Sequence, residues 1–182
     1  REWGGYEADR PARGALALHL LERHPEIARD NIHTAVAAHD LAAIGAFLAE
    51  NPALATDRSE FDGWTPLLRL AFTRFPDHAA AANAPGIAEL LLAHGADANG
   101  FWSDGSNHFT ALTGAVGGGE NGQPAQPQAQ ELARLLIAHG ADPLDGQALY
   151  NNSLGADATL WLELFWDETA KRGQQARWHE PI

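Results

Sequence analysis

The tetrapeptide His-Gly-Ala-Asp occurs twice in this chain, at 94–97 and 139–142, each time closing a leucine-rich run: ELLLAHGADANG and ELARLLIAHGADP. A second pair of anchors keeps the same offset. WTPLLRLA begins at Trp64 and FTALTGAV at Phe109, and both pairs lie 45 residues apart. Two anchors at one offset make a structural repeat, and a period of this size is the mark of stacked supersecondary units. Each unit reads as a Thr-led helix start, a first helix, a second helix ending in Gly-Ala-Asp, and a polar loop.

The local chemistry agrees with that reading. Gly95 and Gly140 stand where a helix must end in the left-handed region, which glycine enters at little cost. Asp97 and Asp142 can bind backbone in the turn that follows. Thr65 and Thr110 are placed to cap the next helix, with Pro66 at its first position. His94 and His139 are expected to cover the ends of their helices. The repetition is therefore read as a stacking device and not as two copies of a reactive site.

The unit resembles the ankyrin repeat, a module of about 33 residues made of a turn and two antiparallel helices with a Thr-Pro-Leu signature. In that family the first-helix leucine precedes the glycine by about 19 positions. Here Leu67 to Gly95 and Leu112 to Gly140 each span 28, so both units carry the same nine-residue excess. It falls in the Pro- and Gly-rich stretches Arg74–Gly86 and Gly117–Gln128, expected to be mobile loops. With the register fixed, weaker copies emerge. Ile32 and Leu149 take the leucine position, His33 the signature histidine position and Asn51 the glycine position. Phe165 takes the place of Leu48, Leu92 and Ile137. The sequence LLERHPEIA matches FLAENPALA, which gives a partial leading unit. The expectation is one all-α domain over 1–182. Its repeats are 16–28 (partial), 29–57, 58–100, 101–143 and 144–172, with a tail at 173–182.

Composition narrows the function. Asp and Glu outnumber Lys and Arg by 24 to 12, a net charge of −12 without a basic run, which disfavours nucleic acid and anionic membrane. No apolar stretch approaches the roughly 20 residues of a bilayer span, and the start has no signal-peptide core. There is no cysteine and no methionine. The first fits a reducing, cytoplasmic setting. The second suggests that residue 1 is not the translational start, and the alternative function is a regulatory or targeting domain of a longer polypeptide.

Catalytic chemistry finds little footing. Equivalent His and Asp residues of stacked units would lie roughly 10 Å apart, too far to share one ion at bonds of about 2.1 Å. No helical His-x-x-x-His occurs, no serine sits in a Gly-x-Ser-x-Gly elbow, and GAVGGGENG lacks the strand and the Lys-Ser/Thr of a phosphate loop. A metal-dependent enzyme is the weakest alternative; no metal and no cofactor are expected.

The resemblance implies a protein-binding module whose turn tips and first helices form a concave binding face. By register the tips are Arg58–Trp64 and Gly100–Phe109; Arg69, Phe72, Thr73, Val116, Gly117, Tyr150 and Ser153 lie along the first helices. The expected partner-binding residues are Phe61, Asp62, Trp64, Arg69, Phe72, Phe101, Trp102, Asp104, Phe109 and Tyr150. Aromatic anchors dominate interfaces, and large aromatics at turn tips are unusual. The competing reading is that these rings pack on one another to stiffen the hairpins. Glu60, Asp62 and Asp104 would favour a basic protein partner. In the last helix, Leu160, Trp161, Leu164 and Phe165 should face the preceding unit. Leu162 and Trp166 widen the apolar arc and call for a cover, either the tail with Trp178 or a second copy in a homodimer.

Overall fold

The computed structural model describes residues 6–74, 79–117, 125–153 and 158–179, with side chains described from Gly14 onward. The described chain is mostly helical: α1 (Tyr6–Arg23), α2 (Ile32–Ala37), α3 (Leu41–Glu50), α4 (Pro66–Phe72), α5 (Ala84–Ala93), α6 (Ala111–Val116), α7 (Ala129–Ala138), α8 (Gly146–Ser153) and α9 (Ala158–Lys171). One antiparallel hairpin pairs β1 (Phe101–Ser103) with β2 (His108–Thr110). Short 3-10 helices follow α1 and α3, and a third leads into α5.

Side-chain caps set the helix starts. Thr110 and Thr113 form a reciprocal box at α6, and Asn31 and Thr34 form one at α2. Thr65 accepts from the Leu68 N–H at 3.4 Å with Pro66 at the first position of α4, as the sequence implies. At the other ends Gly95 and Gly140 adopt φ of 93° and 101°. The next residue closes each helix, Ala96 N–H to Leu91 C=O at 3.0 Å and Ala141 N–H to Leu136 C=O at 2.9 Å. Asp97 and Asp142 accept from the Asn99 and Leu144 N–H groups, and His94 Nδ1 lies 2.8 Å from the Leu90 C=O.

The outer units depart from this pattern. Asn51, in the glycine position, is extended at φ −143° and its side chain accepts from the Ala53 N–H, so it starts a 3-10 helix instead of forming a left-handed cap. The left-handed residue of that unit is His39, φ 54°, in the tight turn between α2 and α3. Helix α1 also reaches back to Tyr6, well before the Leu16 boundary.

The helices form two rows. In the first, α2 packs on α4, α4 on α6 and α6 on α8; in the second, α3 packs on α5 and α5 on α7. Each first helix also packs on its own second helix, and one continuous core runs between the rows. It combines large residues (Leu48, Leu67, Leu91, Leu112, Leu136, Phe165) with alanines at the crossings (Ala35, Ala71, Ala88, Ala111, Ala133). Small residues let backbones approach, and leucines fill the space between the rows. Gly114 marks the tightest approach: a Cβ there would lie 2.7 Å from the Phe72 ring and 2.9 Å from Ala71 Cβ.

Expected mobility of the two long connections falls partly on 75–78 and 118–124, outside the described residues. Their described ends include a 3-10 helix, Ala79–Asn83, and side chains that bond to other parts of the chain. Gln126 is buried and donates to the Leu70 and Thr73 carbonyls at the end of α4. Asn83 donates to His39 C=O at 3.0 Å. Arg74 donates to Ala71 C=O and, across the stack, to Gly114 and Gly117 C=O at 2.6 and 3.2 Å. Burial pushes its guanidinium down to about 10. Carbonyls left over at helix ends need partners, and these three side chains supply them between units.

In α9, Trp161, Leu164 and Phe165 are buried as expected, whereas Leu160 is exposed. Its register equivalents Ile87 and Leu132 are buried; among the described residues no α-helix follows α9. The tail folds back as a 3-10 helix, Gln175–His179. Trp178 donates to Thr169 Oγ1 at 2.8 Å, its ring lies 5.7 Å from that of Trp166, and Arg177 pairs with Asp142 at 2.7 Å. The tail thus covers part of Trp166, which stays 46% exposed, as Leu162 does at 42%. No described helix is long and apolar enough to cross a membrane.

Candidate partner-binding face

The two tips are built differently. The first, ahead of α4, is a turn closed by Ser59 N–H to Trp64 C=O at 3.0 Å and Gly63 N–H to Ser59 C=O at 2.7 Å. Asp62 organises it. Its carboxylate takes Arg69 Nη2 at 2.8 and 2.6 Å and the Trp64 N–H at 3.2 Å, while the Arg69 guanidinium lies 5.6 Å from the Trp64 ring centre. Burial alone would raise this carboxyl; the Arg69 and Trp64 hydrogen bonds outweigh it and hold Asp62 below the usual carboxylate range. The second tip is the β1–β2 hairpin, with Trp102 opposite Phe109. In its turn Asp104 accepts from the Asn107 and Ser106 N–H groups, which lower its carboxyl as well.

Between the tips four rings close a circuit. Trp64 touches Phe72 (5.2 Å) and Trp102 (6.3 Å); Phe109 touches Phe72 (6.4 Å) and Trp102 (5.9 Å). Trp64 and Phe109, equivalent in register, are linked through the other two. All four are half-buried, so they spend much of their apolar surface on one another. The remaining aromatics of the expected set face solvent. Phe61 is 95% exposed, Tyr150 59%, and Phe101, whose ring lies edge-on 4.7 Å from His108, 47%. Val116, expected on the first-helix surface, is in the core.

Two open grooves flank the four rings. One, of about 570 Å³, lies between α2 and the first tip and includes His33, Asp57, Arg58, Glu60, Phe61 and Arg69. His33 Nε2 is 3.2 Å from Asp57 Oδ2, so the signature-position histidine ties α2 to the following tip. The other, of about 960 Å³, lies between the hairpin and the start of α8 and includes Asn107, His108, Leu144, Asp145, Leu149 and Tyr150. Asp145 fixes its walls, capping α8 through the Ala148 N–H at 2.8 Å and accepting from Thr110 Oγ1 at 2.7 Å.

The expected residues thus fall into a packed group (Asp62, Trp64, Arg69, Phe72, Trp102, Phe109) and an exposed one (Phe61, Phe101, Asp104, Tyr150). Sequence reasoning did not single out His108 or Asp145. The run PLDGQAL carries a usable signal, an acidic residue just ahead of a helical pattern. Among the described residues no three His, Asp or Glu side chains converge where an ion could sit. No family model matches the chain, and comparison with curated proteins and with solved structures returns no significant similarity.

Proposed function

We propose that the chain is an ankyrin-type solenoid acting as a non-catalytic protein-binding module, with the tips and first helices as its binding face. The observation that carries this reading is the exposure of Phe61 in the first tip, Phe101 in the hairpin and Tyr150 on α8, of which Phe61 and Tyr150 each line one of the two grooves. Tips cost least when polar, so exposed aromatics there are best accounted for by a partner that desolvates them. The two rows of helices, the Gly-Ala-Asp helix ends and the threonine caps support the repeat reading. The fused register of hairpin and helix gives such anchors a rigid base.

Photo-crosslinking amino acids placed at positions 61, 101 and 150, and for comparison at Ala93 and Arg134 on the second helices, test the assignment in cells that make the protein. Discrete adducts of one size from the first three positions and none from the other two are expected. Adducts confined to Ala93 and Arg134, or absent throughout, would remove this face from the function.

A further inference from the structure

Resting on the binding reading above, we infer that the groove between the β1–β2 hairpin and α8 takes an extended peptide segment bearing arginine or lysine. The carboxylate of Asp145 receives the charged head, and Tyr150 and Leu149 carry its apolar stem. At about 960 Å³ the groove is as large as a small-molecule site, but it is open along its length, which suits a chain better than a compact ligand.

Charge selects the sign of the occupant. Neither lysine nor arginine is among the described residues lining this groove. Asp142, at its edge, is satisfied by the Arg177 fork. Among the described residues, the Asp145 side chain accepts hydrogen bonds from Thr110 and the Ala148 N–H and forms no ion pair. Asp104 in the hairpin turn, outside the groove's lining, is an exposed carboxylate held by the Ser106 and Asn107 N–H groups and the Asn107 side chain. The groove beside Phe61 differs: its Asp57 and Glu60 are accompanied by Arg58 and Arg69, so it selects no sign. An anionic segment entering the hairpin groove would meet the Asp145 carboxylate and a molecule of charge −12.

Shape selects basic side chains over a simple cation. Arg and Lys lay their methylene stems on apolar surface and keep the charged end polar, and a guanidinium also stacks on an aromatic face. Leu144, Leu149 and the exposed ring of Tyr150 supply that surface next to the carboxylate. The Thr110–Asp145 bond ties the two walls together before any peptide arrives.

The test uses the 182-residue chain and a library of short immobilised peptides, followed by solution affinities for the strongest binder and for the same peptide with its arginines replaced by citrulline. Enrichment of Arg or Lys is expected, with about ten-fold or greater losses for citrulline, for Tyr150→Ala and for Asp145→Ser. The serine keeps the α8 cap, and melting temperatures identify any variant whose loss comes from unfolding. Arg134→Ala, an exposed position on α7 away from this groove, should leave this affinity unchanged. Enrichment of acidic or purely apolar peptides, or basic peptides indifferent to Tyr150→Ala and Asp145→Ser, would overturn the groove assignment. So would a library without binders. The crosslinking result judges the binding face separately, so the two failures are distinguishable.

Discussion

Gly114 is a helix-interior glycine, and alanine there would gain helix propensity of up to about 1 kcal/mol. Its Cβ, however, would enter the Phe72 ring and the Ala71 methyl. Overpacking of this kind costs about 1–3 kcal/mol, so Gly114→Ala should lower the melting temperature despite the better helix former. Adding Phe72→Leu should recover part of the loss, a coupling that a double-mutant cycle measures. Asp62 makes a second residue-level prediction. Its folded carboxyl titrates below its unfolded value, so its stabilising share is complete above the unfolded range near pH 4 and is lost as pH falls through the lower folded value. The urea midpoint should therefore drop on acidification below about pH 4, and Asp62→Asn should make that drop shallower. Gly95 and Gly140 could be read in the sequence because a left-handed helix end is a local demand with one cheap answer. His39 could not: nothing in the residue type announces φ 54°, which tertiary packing of a short turn imposes.

Among elements, the tips show how packing divides a list of like residues. The rings of Trp64, Phe72, Trp102 and Phe109 pack together, whereas Phe61 packs on little. Trp102→Ala should therefore cost about 2–4 kcal/mol in chemical denaturation, toward the lower end because the ring is half-buried. Phe61→Ala should change stability by less than about 0.5 kcal/mol while weakening partner binding. Equal destabilisation by the two variants would contradict this division. The sequence placed Phe61, Trp64, Trp102 and Phe109 at the tips and Phe72 on the first helix but could not separate packed from exposed rings, since residues of one type differ here only in their spatial neighbours. The anchoring of Gln126 within the second connection is invisible in the sequence for a related reason. Gln126 reaches carbonyls more than 50 residues earlier in the chain, a pairing no local pattern records. Gln126→Ala leaves those acceptors without their donor and should cost about 1–3 kcal/mol, where a solvated loop would cost nearly nothing.

At the scale of the whole molecule, the described chain is mostly helical, and packing contacts join α2, α4, α6 and α8 in one series and α3, α5 and α7 in another. What the period could not convey is how the ends finish: α1 and α9 carry the exposed Leu16, Leu20, Leu160, Leu162 and Trp166, because the neighbours that bury such positions inside the stack are absent from the described chain. A linear array whose units touch only neighbours loses structure piecemeal when an interface is weak. Arg74, Asn83 and Gln126 work against that, since each joins one unit's connection to the helix end of another. Gln126→Ala should accordingly broaden the denaturant transition and lower its slope as well as its midpoint. These same cross-links govern what a visiting chain encounters. If the proposed binding reading holds, side chains that bridge neighbouring units would resist sliding and bending between them, and the pitch from one groove to the next would be set in advance, like the marks on a ruler. A ligand whose anchor residues match that pitch loses only its own freedom on docking; one spaced differently must leave an anchor in water, and selection by length follows.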